Sequence, residues 1–417
     1  MIERRPAGTT WSGNHRYAAR ETLLPESLDE LAEIVSTHDA LRVQATRHTF
    51  SDVGDAEGSL VSLERMPTRV DLGDGTVRVE GLMTFAQVAP VIEAAGRALH
   101  NLGSLPHISV AGAAATGTHG SGTRNGNVSS AVTALEIMDA TGRVRRIDRD
   151  HAWFPAAALG VGAFGVVTAV ELRTEPSYTV TQQVFTGVPW ERIVADPDRV
   201  FASARSVSVF TTWGDPDDDL VWVKSTDADP DADCARELGG QPLTGPLHLG
   251  RIRTVDNTTP LGTPGPWHTR LPHFRADAVP SDGDEIQSEY FVPLATAREA
   301  LAAVRGIAPV FADQLLVSEL RTVSSDGLWL SPAFDRDVLA VHFTWRNDTP
   351  GVLAALPHVE RALAPFDVRP HWGKAFTMPG AVVRATLPHA DAFVAAAREA
   401  DPRGVFRNGF LRRVLDL

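Results

Sequence analysis

The chain has 417 residues, a length that favours two or three domains over a single core. Its 43% hydrophobic and 22% charged residues describe a soluble globular protein, and a net charge of −13 excludes the basic footprint of a nucleic-acid or anionic-lipid binder. Cys234 is the one cysteine, so no intrachain disulfide forms. With no apolar leader in residues 1–17 and no segment apolar enough to span a bilayer, a cytoplasmic protein is expected.

In chain order, Ser27-Leu28-Asp29-Glu30 reads as a capping box opening an amphipathic helix to about residue 37. A second helix is predicted over 84–95, with Thr84 as N-cap and Gly96 just past its end. Strand-like runs lie around them at 41–45, 60–63, 76–80, 132–139, 143–147 and 166–172. Residues 1–176 therefore read as one α+β unit. Longer β-branched and aromatic runs follow at 178–185, 207–213, 220–224, 288–292, 315–323 and 338–345, with helices near 296–305 and 351–363. They predict a second domain over 177–370, an antiparallel sheet backed by helices. Residues 227–284 are rich in Pro, Gly and Asp without periodicity, which predicts a surface excursion. Residues 371–417 are too few to fold alone and are expected to return to the first unit.

The run from Ser104 to Gly122 is built from small residues and hydroxyls, with Gly112, Gly117, Gly120 and Gly122 among them. Glycine removes the Cβ that keeps a backbone amide away from a bound anion. A second short segment, Ala45-Thr46-Arg47-His48-Thr49-Phe50, follows the strand-like Leu41-Arg42-Val43-Gln44. Two such loops, each with a histidine, suggest a diphosphate cofactor held from both sides. Gly160–Gly165 has glycines at dinucleotide-fingerprint spacing, but a helix-like stretch precedes it and a strand follows, the reverse of what that fingerprint needs. Zinc-hydrolase, serine-hydrolase and P-loop motifs are absent from the sequence. His100, His107 and His119 have no ligand spacing, so no metal is expected.

Glu319 and Arg321 stand two apart on one strand, and His342 and Thr344 do the same on another, so each pair shares a face. Such a row is the ordinary solvent side of a half-buried sheet; equally, it can satisfy a substrate carrying several hydroxyls. Lys224 and Lys374 are the only lysines among 39 basic residues. A lysine kept in such a chain points to a need for a compact point charge.

These segments resemble the vanillyl-alcohol-oxidase-type (PCMH-type) flavoproteins and, within them, the bacterial alditol oxidases. Matching pieces include Trp11-Ser12-Gly13-Asn14, Arg47-His48-Thr49-Phe50, the 104–122 run and 160–167. In the second half they include 264–268, Ser288-Glu289-Tyr290, Glu319-Leu320-Arg321-Thr322-Val323, Trp329-Leu330-Ser331-Pro332, His342-Phe343-Thr344-Trp345 and His371-Trp372-Gly373-Lys374, while 227–256 matches nothing. The resemblance implies a two-domain α+β flavoprotein, in which an FAD-binding domain made of 1–176 and 371–417 lies under an antiparallel-sheet cap. It implies FAD bonded covalently to His48, with cofactor contacts from Val43, Gln44, Ala45, Thr46, Arg47, Thr49, Ser104, Ser109, Gly112, Ala115, Thr116, Gly117, Thr118, His119, Gly122 and Val167. It further implies substrate contacts from Ser104, Glu319, Arg321, Thr344 and Lys374, with Lys374, Arg321 and Glu319 catalytic and His342 as proton acceptor.

Many relatives carry glycine where Ala45 and Arg47 stand and serine at Thr49; Arg47 is expected to add an anchoring charge near the phosphates. In this family a small residue such as Gly103 beside the flavin admits dioxygen, so an oxidase is implied. The implied reaction converts the terminal primary alcohol of a polyol such as xylitol or sorbitol to the aldose, with hydride passing to flavin N5 and dioxygen leaving as hydrogen peroxide. A monomer needing only polyol and dioxygen, with no nucleic-acid or membrane partner, is expected. An aldonolactone oxidase would share the Glu-x-Arg and His-Trp-x-Lys features, and a sugar-binding protein without redox function is the alternative from another class.

Overall fold

Local signals set the first unit. Ser27 caps the helix Leu28–Thr37 by accepting from the Glu30 amide at 3.2 Å. The Glu30 carboxylate accepts from the Glu26 amide at 2.9 Å, so the return half of the expected box lands one residue earlier. The helix Phe85–Ala94 completes its own box, with Gln87 Oε1 accepting from the Thr84 amide at 2.9 Å. The computed structural model describes residues 2–214, 219–229, 231–244, 247, 249, 258–278 and 283–417. The matchless 227–256 stretch lies partly outside them.

Two larger sheets build this unit, beside a two-stranded pairing of Arg97–Ala98 with Glu175–Pro176. One orders Glu3–Arg5, Thr22–Leu24, Ser59–Val61 and Leu41–Val43, with its last two pairings parallel. The other is antiparallel and orders Arg69–Leu72, Thr76–Glu80, Val166–Arg173, Val132–Met138 and Val144–Asp148. Gly160–Gly165 turns between the short helix Phe154–Ala157 and the strand Val166–Arg173, as its context requires.

Beyond Pro176 the chain enters a sheet of nine strands among the described residues. Its central order is Thr179–Thr186, Leu220–Ser225, Ser206–Thr211, Leu315–Val323, Val338–Arg346 and Glu285–Pro293, all antiparallel. Strict alternation gives the sheet two unlike faces. Leu320, Val341, Phe343 and Trp345 lie on the face backed by the helices Ala297–Phe311 and Thr349–Leu363; Phe311 meets Phe343 and Trp345 edge-on at 5.8 and 5.7 Å. The first of these helices continues past the predicted end at 305, through Gly306 and Pro309, because Ala308 and Phe311 are still buried.

The expected surface excursion is corrected. Among the described residues of 227–284, Leu247, Leu249, Trp267, Leu271 and His273 are buried. Leu247 and Leu249 pack with Phe210, Trp222 and Val317 on the sheet's other face. Single apolar residues in an aperiodic strap leave no pattern to read.

After Arg369–Pro370 the chain leaves the cap sheet and forms the helices Gly380–Ala385, Ala390–Ala400 and Gly409–Leu415. It bonds to the first unit: the Leu41 amide donates to the Val405 carbonyl at 2.7 Å, and Asn408 Nδ2 to the Asp55 carbonyl at 2.8 Å. Among the described residues, no helix is long and apolar enough to cross a membrane.

Arg42 ties these pieces together. Its guanidinium, 4% exposed, donates to the carbonyls of Val53 (2.6 Å), Val161 (2.5 Å), Gly162 (2.9 Å) and Phe406 (2.9 Å). Burial pushes its pKa down to about 10, which leaves it charged at neutral pH. Arg42→Met strips four inward-facing carbonyls of their donor and should lower unfolding free energy by about 3 kcal/mol or more. A urea titration of flavin-loaded protein checks this; an unchanged midpoint removes Arg42 from its role.

Candidate active site

A cavity of about 800 Å³ opens between the first unit and the cap sheet's second face. His48, Thr49, Ser104, Thr116, Thr118 and His119 line it from below, Lys374 from the C-terminal segment, and Glu319, Arg321, His342 and Thr344 from the sheet. Eleven residues expected from separate stretches of sequence thus share one wall.

Register explains the grouping. His342 lies directly between Glu289 and Glu319 on neighbouring strands, and Thr344 lies between Gln287 and Val317. The row is buried, with Glu319, Arg321, His342 and Thr344 at 5 to 6% exposure, so it is not a solvent face. Ionised groups at that depth must satisfy one another. Arg321 Nη2 donates to Glu289 Oε1 at 2.6 Å, its Nη1 to Ser104 Oγ and the His119 carbonyl at 3.4 Å each, and its Nε stands 3.7 Å from Glu319 Oε1. Burial pushes the Glu289 carboxyl up, but Arg321 and then His119 outweigh it and hold it well below the usual range. Glu319 is likewise held low against burial by Arg321 and His273.

His119, Glu289 and His371 bring one ligand atom each within 4.8 Å of one another, which is metal-site spacing. Both rings are already committed through Nδ1. His119 Nδ1 donates to the Gly120 carbonyl at 2.7 Å, whereas His371 Nδ1 accepts from the Gly373 amide at 3.0 Å. His371 therefore carries its proton on Nε2, the donor form and not the ligand form, so the cluster lacks one of its three ligand atoms. His100 and His107 go elsewhere, to the carbonyls of Gly126 and Ala276 at 3.1 Å each.

The two small-residue loops do meet. The Ser109 amide donates to Thr46 Oγ1 at 3.3 Å, and a Cβ on Gly112 would lie 3.5 Å from the Ala45 Cβ and 2.6 Å from Ser109 Oγ. The glycine-rich run, read as a loop, contains a short helix, Val110–Thr116, capped by Ser109 and ended by Gly117 at φ +72°. Its alanines and glycines, Ala115 included, serve close packing as well as close approach. Gly122, at φ +139°, carries the chain under the cap; its amide donates to the Thr322 carbonyl at 3.0 Å, and a Cβ there would strike the Arg205 carbonyl at 2.4 Å.

Val43, Gln44, Ala45, Thr46, Arg47, Ser109, Gly112, Ala115, Gly117, Gly122 and Val167 lie off the cavity wall, in the segments that carry it. The Gln44 amide is spent on structure, bonding the Ala7 carbonyl and Arg5 at 2.9 Å each. Arg47 is exposed and holds φ at +61°, so this position requires the left-handed backbone that glycine adopts freely.

The cavity fits a flavin on its own atoms. His48 Nδ1 and Thr49 Oγ1 are buried without hydrogen-bond partners, and the His48 ring stacks on Trp11 at 5.0 Å. Burial pushes His48 down to about 4, so its ring is neutral and nucleophilic at neutral pH.

Residues 19–148 match the FAD binding domain family, and residues 284–414 match the D-arabinono-1,4-lactone oxidase family. The chain is 44% identical to an alditol oxidase of Streptomyces sp. over 98% of its length and 99% of that protein. The chain belongs to the alditol oxidase family of FAD-dependent oxidoreductases. An L-gulono-1,4-lactone dehydrogenase of Mycobacterium tuberculosis is similar at 25% identity over 98% of this chain and 99% of its own. Among solved structures, a cholesterol oxidase from B. sterolicum superposes with a TM-score of 0.78 at 15% identity, covering 99% of this chain and 97% of that one, so the two share a fold. The chain is thus an FAD-dependent oxidase, and the sugar-binding alternative falls.

Sequence reasoning left Gln287, Glu289, His371, His273 and Lys224 without roles. Alternation along Glu285–Pro293 puts Gln287 and Glu289 on one face, which was readable, and the register with Val338–Arg346 makes it the face of His342. His273 sits in the aperiodic strap and had none. Glu289→Gln leaves Arg321 without its closest anion and should cost roughly 3 kcal/mol of stability at neutral pH. Because the Glu289 carboxyl titrates below its unfolded range, its contribution is full above about pH 4.3 and fades as acid approaches its folded value. Urea midpoints of the two proteins should therefore converge on acidification; a pH-independent gap refutes the ion pair.

Proposed function

We propose that this protein oxidises the terminal primary alcohol of an alditol, of the xylitol or sorbitol kind, to the aldose. The observation that carries this reading is the buried row of Glu319, Arg321, His342 and Thr344 on the same cavity wall as Lys374. The likeness to an alditol oxidase over nearly the whole chain supports it. FAD, when bound, supplies the hydride acceptor and passes the reducing equivalents to dioxygen as hydrogen peroxide. We assign its holding to the segments around 45–49 and 104–119, with covalent attachment through the His48 ring, whose Nδ1 has no hydrogen-bond partner. We divide the chain into 1–176 with 371–417 as the FAD-binding domain and 177–370 as the cap, a division that the separate sheets support. One buried cysteine suits a cytoplasmic location.

The side chains do the remaining work. Arg321 and Lys374 hold the reacting oxygen and favour its alkoxide character. Glu319, Thr344 and Ser104 take the other hydroxyls, each of which both donates and accepts, and so fix one approach of the carbinol carbon. His342 Nε2 donates to Gln287 Oε1 at 3.2 Å, an oxygen that also accepts from Lys374, and its Nδ1 is buried and unpartnered. Burial, then Lys374, pushes His342 down to about 3, so the ring is neutral and its Nδ1 is the atom that receives the hydroxyl proton.

Three measurements test the reading. Acid-precipitated protein should keep flavin fluorescence in the pellet, and His48→Ala should release it; a colourless wild-type pellet refutes the covalent bond. Peroxide should form with xylitol and not with gulono- or galactonolactone; the reverse would assign an aldonolactone oxidase. Burial pushes the Lys374 ammonium down to about 8, so the cation is present below that pH and lost above it. We expect kcat to fall as pH rises through about 8, and Lys374→Met to lower kcat by about 100-fold and abolish that limb. Normal turnover in that variant removes Lys374 from the chemistry.

A further inference from the structure

Lys224 is 1% exposed and has no part in the chemistry above. It lies on Leu220–Ser225, three strands from Val338–Arg346, on the same sheet face as Glu319 by way of Ser206, Ser208 and Phe210. Its Nζ donates to the carbonyls of Leu271 and of Pro272, the latter at 3.1 Å, and stands 3.0 Å from His273 Nδ1. His273 Nε2 in turn stands 2.7 Å from Glu319 Oε1. The amides of His273 and Phe274 donate to the Ser104 carbonyl at 3.1 and 3.2 Å, so the strap holding the imidazole is tied to the first unit. Glu319 Oε2 has no hydrogen-bond partner among the described residues.

We propose that Lys224 and His273 are positioning residues: a buried ammonium–imidazole pair that fixes one oxygen of Glu319 from behind and leaves the other to accept a hydroxyl of the substrate. This rests on the reading of Glu319 as a substrate contact. The pair shares one proton, and either placement of it presents an N–H to Glu319. With the proton on Lys224, the ammonium has only donors, so His273 Nδ1 accepts and Nε2 carries hydrogen. With the proton on His273, both ring nitrogens donate, one back to the neutral amine and one to the carboxylate. Removing the shared proton breaks this. The neutral amine then has two N–H bonds for three acceptors, so the Leu271 carbonyl, the Pro272 carbonyl or His273 Nδ1 loses its donor and the grip on the imidazole slackens.

Burial, opposed by Glu319, pushes Lys224 down to about 7, and burial with Lys224 pushes His273 down to about 4. The relay is therefore loaded below about pH 7 and empties above it. The charged and titratable groups around Glu319 are Arg321 on its own strand, His342 on the next and His273 on the strap; Lys224 faces Glu319 and Arg321. Both lysines of this arginine-rich chain thus serve one pocket, Lys374 in its wall and Lys224 behind it. A compact ammonium suits Lys224, because three acceptors converge on one nitrogen and a planar guanidinium would splay them.

The test is steady-state oxidation of xylitol by flavin-loaded wild type, Lys224→Met and His273→Gln from pH 5.5 to 9.5. In wild type, KM should rise through about pH 7 while kcat follows the separate Lys374 limb. Lys224→Met should raise KM about tenfold at pH 6, the weight of one hydrogen bond to a charged group, with kcat within about threefold. Its KM should also stay flat where wild type climbs. His273→Gln keeps an N–H toward Glu319 without charge, so its KM should lie between the two. A loaded Lys224→Met with the wild-type KM and pH profile overturns the proposal; if that variant does not load flavin, His273→Gln decides, and a wild-type profile there overturns it. If wild type ignores polyols and oxidises an aldonolactone, the substrate reading fails, and the same KM comparison on the lactone supports or overturns the relay.

Discussion

Placing four ionisable side chains on one buried face of an antiparallel sheet is the constraint that organises this protein. A carboxylate or guanidinium withdrawn from water costs several kcal/mol unless a partner replaces its hydration. Glu289, Glu319, Arg321 and His342 could not lie together on a free-standing sheet without flooding it. They are tolerable here because the first unit supplies the missing partners: Ser104 and the His119 carbonyl for Arg321, and the His119 ring for Glu289 at 3.2 Å. The cap cannot be described as a domain that happens to rest on another. Its inner face is chemically complete only when docked.

That dependence explains where backbone freedom is used. Gly122 has to pass close beneath the Arg205 carbonyl, because the chain there also donates its amide to Thr322 on the strand carrying Arg321. Thr322 in turn donates its own amide to Ser121 Oγ at 3.2 Å. Backbone bonds thus set the height of the sheet above the first unit, and side-chain bonds then set its charges. Arg42 does the equivalent work below, where a fork of donors gathers carbonyls from the 53 and 161–162 loops and from the C-terminal segment. A lysine could not reach four acceptors spread in this way, whereas at Lys224 the acceptors converge and a lysine is what the chain retains.

Periodicity made the strands legible: 76–80 and 338–345 needed little or no adjustment, because each carries a period of two with one wholly apolar face, whereas 315–323 was read from its aliphatic and β-branched run. The polar face stayed ambiguous, since alternation says which residues are together and not whether water or protein meets them. Motif spacing located His48, Ser104 and Lys374, but only the register of three strands brought Glu289 beside His342. The glycine-rich run misled in form. Small residues permit a loop near an anion and also a tightly packed helix, and Ser109 as an N-cap tipped the balance toward Val110–Thr116. The strap holding His273 was illegible for a different reason: its conformation is dictated by what it covers.

The same architecture supports a protein named for cholesterol, so the fold does not choose the substrate. The choice lies in what the sheet face would lose. A rigid apolar ligand pressed against Glu319, Arg321, His342 and Thr344 would displace water without replacing its hydrogen bonds, at about 1–3 kcal/mol for each stranded group. A polyhydroxylated chain returns a donor or an acceptor to each of them. Discrimination of this kind is strong, because it comes from the penalty on the wrong ligand more than from attraction to the right one. It also demands that the face be held still, since a carboxylate free to swing could find another partner and forgive the error. Glu319, bonded from behind by His273 and flanked by Arg321, has little such freedom, and on the proposed reading this makes the buried charge row selective for hydroxyls.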